Sequence, residues 1–393
     1  MSVPPDVTDA PLPEADLPAE AWAVALSVLP GMGPARLSAV LAAWSPAVAW
    51  RRVAEGRATR LPAIAAACRP DAQGIGRAWA RAAAGIDVGR CWAAHREAGV
   101  SVAVLGSREY PEALADDHEA PAVLFAIGNP AALDARRVAI VGTRNCTRYG
   151  TDVALELGRD LASAGVAVVS GLALGIDGAA HTGALAAVGG AAPVAVVGSG
   201  LDVVYPRRHG RLWAEVARRG LLLSEAPLGA RPEPWRFPVR NRVLAALAEV
   251  VVVVESHSRG GSLHTVDAAL ARDRLVMAVP GSVRSPASAL TNALLAEGCP
   301  PVRDAIDVLV ALGLSTAGSL PSAEHRPPPG GDAGTVLAAV GWEPASLDDI
   351  VARSGLSVGA ASVALARLED DNWLAGRSGW WERLAPSAAR AKP

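Results

Sequence analysis

The sequence predicts a doubly wound parallel α/β sheet, preceded by a helical domain and followed by a winged helix. Three observations carry this reading. Short β-branched runs recur roughly every 25–30 residues, the spacing of βαβ units. Amphipathic stretches fall between them. Outside residues 100–314 the strand runs disappear and helical patterning takes over.

Residues 1–18 are acidic and Pro-rich and read as a disordered leader. They carry neither the basic start nor the apolar run of a signal peptide. From Ala19 to Gly99 the chain is Ala-rich, with Leu, Val and Trp at helical spacing. Within it Gly31-Met32-Gly33-Pro34 separates two helical stretches. It reads as a plain helical turn, or as a helix-hairpin-helix whose glycines let backbone amides meet a DNA phosphate. The expectation for residues 19–99 is thus a SAM-like or helix-hairpin-helix-like domain.

From residue 100 the strands follow in order. VAVL (102–105) is a short one. The main series is VAIV (138–141), VAVV (166–169), VAVV (194–197), LLLS (221–224), VVVVE (251–255) and LVMAV (275–279). The stretch 152–165 is an intervening helix. LAEVVVVVE is too short and too flanked by charge to span a bilayer, so no membrane segment is expected; it reads as a strand buried on both faces. Residues 315–331, with HRPPPGG, read as a linker. Residues 332–388 read helix, turn, helix, small hairpin, which predicts a winged helix. In it Ser346 followed by Asp348 and Asp349 suits a helix N-terminus.

Composition narrows the partners. The 393 residues are 51% hydrophobic with a formal net charge of −2, so any nucleic-acid binding must rest on a local patch. Lys392 is the only lysine, so the cations are arginines, which meet phosphate as planar forks. Cys68, Cys91, Cys146 and Cys299 form no CxxC pair; neither a zinc ribbon nor a redox motif is suggested, and a reduced cytoplasmic protein is expected.

Ligands of an open parallel sheet sit beyond the carboxyl ends of its strands. Those ends read Gly142-Thr143-Arg144, Ser170-Gly171, Gly198-Ser199-Gly200, Ser224-Glu225, Glu255-Ser256 and Pro280-Gly281. Small residues there let a ligand approach, and their amides can donate to phosphate. A dinucleotide fails in detail: no GxGxxG follows the first strand and no acid ends the second. No P-loop, HExxH or GxSxG occurs, and no cofactor or metal is expected. Within SGLALGIDGAAH (170–181), Asp177 and His181 stand at i, i+4. They read as a catalytic or metal pair, or as a brace ordering the loop; with no third ligand or nucleophile evident, the brace is preferred. Arg144, Arg148, Arg207, Arg208, Arg211 and the run Trp235-Arg236-Phe237-Pro238-Val239-Arg240-Asn241-Arg242 interleave arginine with aromatics. That pattern suits single-stranded nucleic acid, guanidinium on phosphate and ring on base; the plainer reading of Arg207, Arg208 and Arg211 is a solvated or salt-bridged face.

Together these motifs resemble the DNA-processing protein A family (DprA, also called Smf). The resemblance is carried by YPEAL (110–114), PAVLFAIGN (121–129), VAIVGTRNCTRYG (138–150), SGLALGIDGAAH (170–181), GSGLDVVYPRR (198–208), SEAPLG (224–229), FPVRNRVLAAL (237–247), VVVVE (251–255), GGSLHT (260–265) and AVPGS (278–282). It implies an extended Rossmann-like domain that binds single-stranded DNA without catalysis, protects incoming DNA in natural transformation and loads the RecA recombinase. It implies a homodimer formed through that domain. The DNA site it implies comprises Arg144, Ser170, Gly171, Phe237, Arg240, Asn241, Arg242, Gly261, Ser262 and Thr265; the strand-end reading adds Gly142, Thr143, Gly198 and Gly200, and Arg207 or Arg208 is expected to supply the charge that lysines give in some relatives. Two segments depart from the family: His264 replaces an apolar residue, and ALTNALLAEGCP lacks the glycine usual before Thr291.

Two other function classes set the alternatives. A nucleotide or N-glycosidic hydrolase on this fold would use Glu225 or Glu255, yet the PGGxGT loop of such enzymes is missing. A regulator would read DNA through the winged helix, whose helix 358–370 carries Arg367 as its one basic residue and ends LEDD, which fits protein contact better.

Overall fold

The structure, a computed structural model, describes residues 16–314, 329–341 and 344–384. The leader through residue 15, residues 315–328 of the expected linker and everything after 384 lie outside the described residues. The chain forms two compact units, divided between Ala317 and Gly318.

The first unit opens with six helices: α1 (Ala19–Ser27), α2 (Pro34–Ala43), α3 (Pro46–Ala54), α4 (Pro62–Ala67), α5 (Ala72–Ala83) and α6 (Val88–Glu97). Proline starts α2, α3 and α4, where its missing N–H has no helical partner to lose. Leu26, Trp50, Ile64 and Trp79 fill the core between them. The turn after α1 uses its carbonyls internally: Trp79 Nε1 donates to Pro30 O (3.1 Å) and Arg36 to Gly31 O (2.6 Å).

The α/β part follows as β1 (Ser101–Val104), α7 (Glu112–Ala115), β2 (Val123–Gly128), β3 (Arg136–Val141), α8 (Arg148–Ser163), β4 (Val166–Ser170), α9 (Ile176–Ala186), β5 (Val194–Val197), α10 (Gly210–Arg219), β6 (Leu221–Ser224), α11 (Arg236–Leu247), β7 (Val250–Val253), α12 (Leu263–Leu270), β8 (Leu275–Ala278), α13 (Ala289–Ala296) and α14 (Ala305–Ala311). The eight strands lie in the order β1-β2-β6-β5-β4-β3-β7-β8. Strands β3 to β8 pair in parallel, as the doubly wound reading requires. The sheet as a whole is mixed, because β2 joins β6 antiparallel and carries β1 antiparallel on its far side. The strand series read from the sequence lacked β2; it sits outside the βαβ rhythm that marks the others. Helix α8 starts at Arg148, earlier than the expected 152, because Thr147 Oγ1 accepts the Gly150 N–H (3.2 Å) as its cap.

Side chains alternate across the buried strands. Val194 and Val196 face Val243, Leu247 and Val266 of α11 and α12. Ala195 and Val197 face the opposite side, in one core with Leu172, Trp213 and the helical bundle. The segment that departs from the family pattern forms α13, and Asn292 there bonds both the N–H and the carbonyl of Gly281 (3.3 and 3.1 Å).

The second unit holds α15 (Gly331–Val340), β9 (Ala345–Ser346), α16 (Leu347–Ser354), α17 (Val358–Asp370), β10 (Leu374–Arg377) and β11 (Trp380–Arg383), with sheet order β10-β11-β9. This is the winged-helix arrangement. Ser346 and Asp349 close a capping box on α16. Val336, Ile350, Leu365 and Leu374 form its core. No single described helix is long and apolar enough to cross a membrane. All four cysteines are free.

Candidate functional site

The order of the strands reverses between β3 and β7, and the loops leaving these two strands are locked together. Thr143 N–H donates to Glu255 O (2.7 Å). The Glu255 carboxylate, buried, takes the Thr147 N–H (2.8 Å) and hydroxyl (2.6 Å) at the start of α8. A Cβ on Gly142 would stand 2.7 Å from Glu255 O, so only glycine fits where these loops meet. The locked loop projects Arg144 into solvent.

Arg144 lies over the Phe237 ring at 4.9 Å, and Tyr205 packs on that ring at 5.4 Å. Arg144, Gly171, Gly198, Ser199, Tyr205, Phe237 and Arg240 line one small pocket. Its lining comes from the ends of β4 and β5 and the start of α11, with Arg144 reaching in from the loop after β3. Arg144, Arg207 and Arg208 meet no carboxylate among the described residues; Arg207 and Arg208 are exposed, which leaves the solvated form of the plainer reading standing for them.

Beneath the pocket lies a buried polar layer. Ser170 Oγ donates to Ile140 O (2.6 Å). Asp177 Oδ2 accepts the Gly171 N–H (3.2 Å), which orders the loop. Burial pushes the Asp177 carboxyl above its usual range, against the pull of Arg240. Arg240, only 7% exposed, donates to Val196 O and presses its guanidinium on Gly171. Burial brings its pKa down to about 10, opposed by Asp177 and assisted by Arg144. His181 is fully buried, and neither ring nitrogen has a hydrogen-bond partner among the described residues. Burial pushes its pKa down to about 3, so it stays neutral. The Asp177–His181 pair therefore has no hydrogen bond between its members; Asp177 alone bonds the loop, and His181 fills core.

The expected site residues separate into two groups. Arg144, Gly171, Gly198, Phe237 and Arg240 line the crevice. Gly142 and Thr143 lie in the locked loop that carries Arg144, Ser170 is buried beneath the pocket, and Arg207 is exposed two residues beyond Tyr205 without lining it. The others hold its surroundings. Gly200 donates to Ala230 O (2.9 Å). Asn241 Nδ2 donates to Gly261 O (3.2 Å), tying α11 to the loop before α12. Ser262 donates to Ser256 Oγ (2.6 Å), and Thr265 is buried. Arg242 departs from the expected pocket altogether. It stands two residues after Arg240, about 200° around the helix, and pairs with Glu225 at 2.5 Å. Tyr205, the aromatic that Arg207, Arg208 and Arg211 surround in sequence, was not among the expected site residues; its place depends on packing against Phe237, a partner 32 positions away. Glu225 and Glu255, the carboxylates of the hydrolase alternative, are both held by structural partners. No group of three or more metal-binding side chains occurs among the described residues.

The fold and this crevice define an α/β protein with an arginine-bearing crevice at its strand ends, joined to a winged helix. Residues 101–313 match the family of the DNA recombination-mediator protein A, and residues 321–377 match the DprA winged helix domain. The chain belongs to the DNA recombination-mediator protein A family. It is 38% identical over 224 residues to DNA processing protein DprA of Bacillus subtilis, covering 57% of this chain and 75% of the relative. It is 36% identical to protein Smf of Escherichia coli, covering 71% of this chain and 76% of the relative. The X-ray structure of DNA processing protein A from Streptococcus pneumoniae superposes with a TM-score of 0.62 at 31% identity, over 74% of this chain and 96% of that one.

Proposed function

We propose that this chain binds single-stranded DNA at the Arg144 crevice and acts as a recombination mediator, protecting incoming DNA in natural transformation and delivering it to RecA. One observation carries the reading: an arginine free of carboxylates lies over an aromatic ring at the mouth of a glycine-walled, strand-end pocket. A phosphate takes the guanidinium, and a base finds Phe237 and Tyr205 beside it. A duplex keeps its bases stacked inside, so rings of this kind favour an unpaired strand. Family membership supports the recombination role. The protein works in the cytoplasm as a homodimer through its α/β domain, and its activity is binding without turnover.

The test is fluorescence anisotropy with a labelled oligonucleotide over a salt series. Arg144→Ala weakens binding about tenfold, and the slope of log affinity against log salt becomes shallower by about 0.7, the share of one phosphate on a single strand. Unchanged affinity and slope overturn the site. The mediator role is read separately: purified protein accelerates RecA assembly on single strands already covered by single-strand binding protein, and no acceleration overturns that part.

A further inference from the structure

A second, larger cleft opens beside the Arg144 pocket. It encloses about 1960 Å³ between α2, the loop after β6 and the start of α11. A narrow cavity lies between the two: it shares Gly198 and Arg240 with the Arg144 pocket, and Trp235 and Arg236 with the cleft. The aromatics at the start of α11 divide accordingly. Two residues turn about 200° around a helix, so Phe237 lines the pocket and Trp235 lines the cleft.

Trp235 is 44% exposed although it is one of the largest apolar side chains. Its orientation is held: Nε1 donates to Glu233 (2.9 Å), and the Arg236 guanidinium lies 4.5 Å from its ring centroid. On the cleft wall Glu233 is engaged by Arg236, while Asp117 and Glu119 share the single cation Arg272, which leaves one negative charge over in that cluster. Arg231 is exposed and meets no carboxylate among the described residues, while Arg36 bonds only the carbonyls of Gly31 and Ala67. An exposed, braced indole next to uncompensated guanidinium groups is the combination that holds a nucleic-acid strand by stacking and charge.

We propose that this cleft is a second station of the DNA track. It rests on the reading of the Arg144 crevice given above. A single strand anchored at Arg144 passes around the first turn of α11, stacks a base on Trp235 and sets its following phosphates against Arg231 and Arg36. The helical bundle is then a wall of the binding surface, since α2 forms the far side of the cleft.

The test compares oligonucleotides of about 6 and about 20 nucleotides, lengths that bracket one and several stacking sites, in anisotropy titrations with the full chain. Trp235→Ala weakens the longer strand about tenfold and leaves the shorter one within about twofold, the loss of one stacked base. Trp235→Phe restores most of the long-strand affinity. Arg231→Ala, on an exposed loop and away from α11, makes the salt slope about 0.7 shallower for the long strand alone. Equal losses at both lengths for Trp235→Ala mean that it acts through the fold of α11, and overturn the proposal. Wild-type binding of both lengths by the Trp235 and Arg231 variants, with Arg144→Ala still weakening both, overturns this proposal and leaves the crevice standing. Failure of Arg144→Ala itself overturns the underlying reading.

Discussion

Acid should unlock the layer beneath the crevice through His181. The residue is fully buried on α9, with no partner on either ring nitrogen among the described residues. Burial is the main cause of its lowered pKa, and the nearby His209 and Arg240 add repulsion. The Ser170 backbone favours the charged form without reaching hydrogen-bond geometry. The folded value is about 3 against 6.5 for a free histidine. The unfolded chain therefore takes the proton first, and stability falls as pH drops from about 6.5 towards about 3. Above 6.5 the contribution is complete. Each unit of separation is about 1.4 kcal/mol, so between pH 7 and pH 5 this one group removes about 2 kcal/mol. Urea denaturation of the wild type and of His181→Leu at both pH values isolates the effect. Leucine is of similar size and orphans no hydrogen-bond partner, so the variant lacks this part of the acid loss, and the difference between the two chains widens by about 2 kcal/mol. Other groups titrate in both chains and cancel. Parallel losses in the two would refute the claim that burial holds His181 neutral.

Two further perturbations test the support of the site. Arg242→Ala leaves Glu225 buried without its cation and costs about 3 kcal/mol in denaturant unfolding; replacing both residues by methionine recovers most of that. A loss of DNA affinity by the single variant without any loss of stability would instead return Arg242 to the contact surface. Gly171→Ala drives a Cβ into the Arg240 guanidinium, which has little room to move at 7% exposure. Overpacking of this kind costs about 1–3 kcal/mol, visible as a lowered melting temperature, and an unshifted melt would show that Arg240 moves freely.

Much of the molecule is legible without coordinates because the patterns involved are local. A β-branched run of four or five residues between helical stretches is a buried parallel strand wherever it lies, so the strands from β3 to β8 could be read directly. Ser346 and Asp349 announce a capped helix within one turn of chain. The small residues after each strand mark the ligand edge of the sheet, since an open parallel sheet has that edge on one side.

What depended on distant partners could not be read that way. Strand β2 belongs to the sheet because β6, about a hundred residues on, offers it an antiparallel edge. The run from Arg236 to Arg242 reads as one cationic block. Once α11 starts at Arg236, helical rotation sends Arg240 under Gly171 and Arg242 to Glu225. Propensity and period act over a few residues, and they suffice for the parallel strands β3 to β8, the winged helix and the small-residue loops at the strand ends. Only the tertiary structure decided which arginines stay free. Burial and pairing are set by residues far along the chain, and they leave Arg144 and Arg207 exposed while enclosing Arg240 and Arg242.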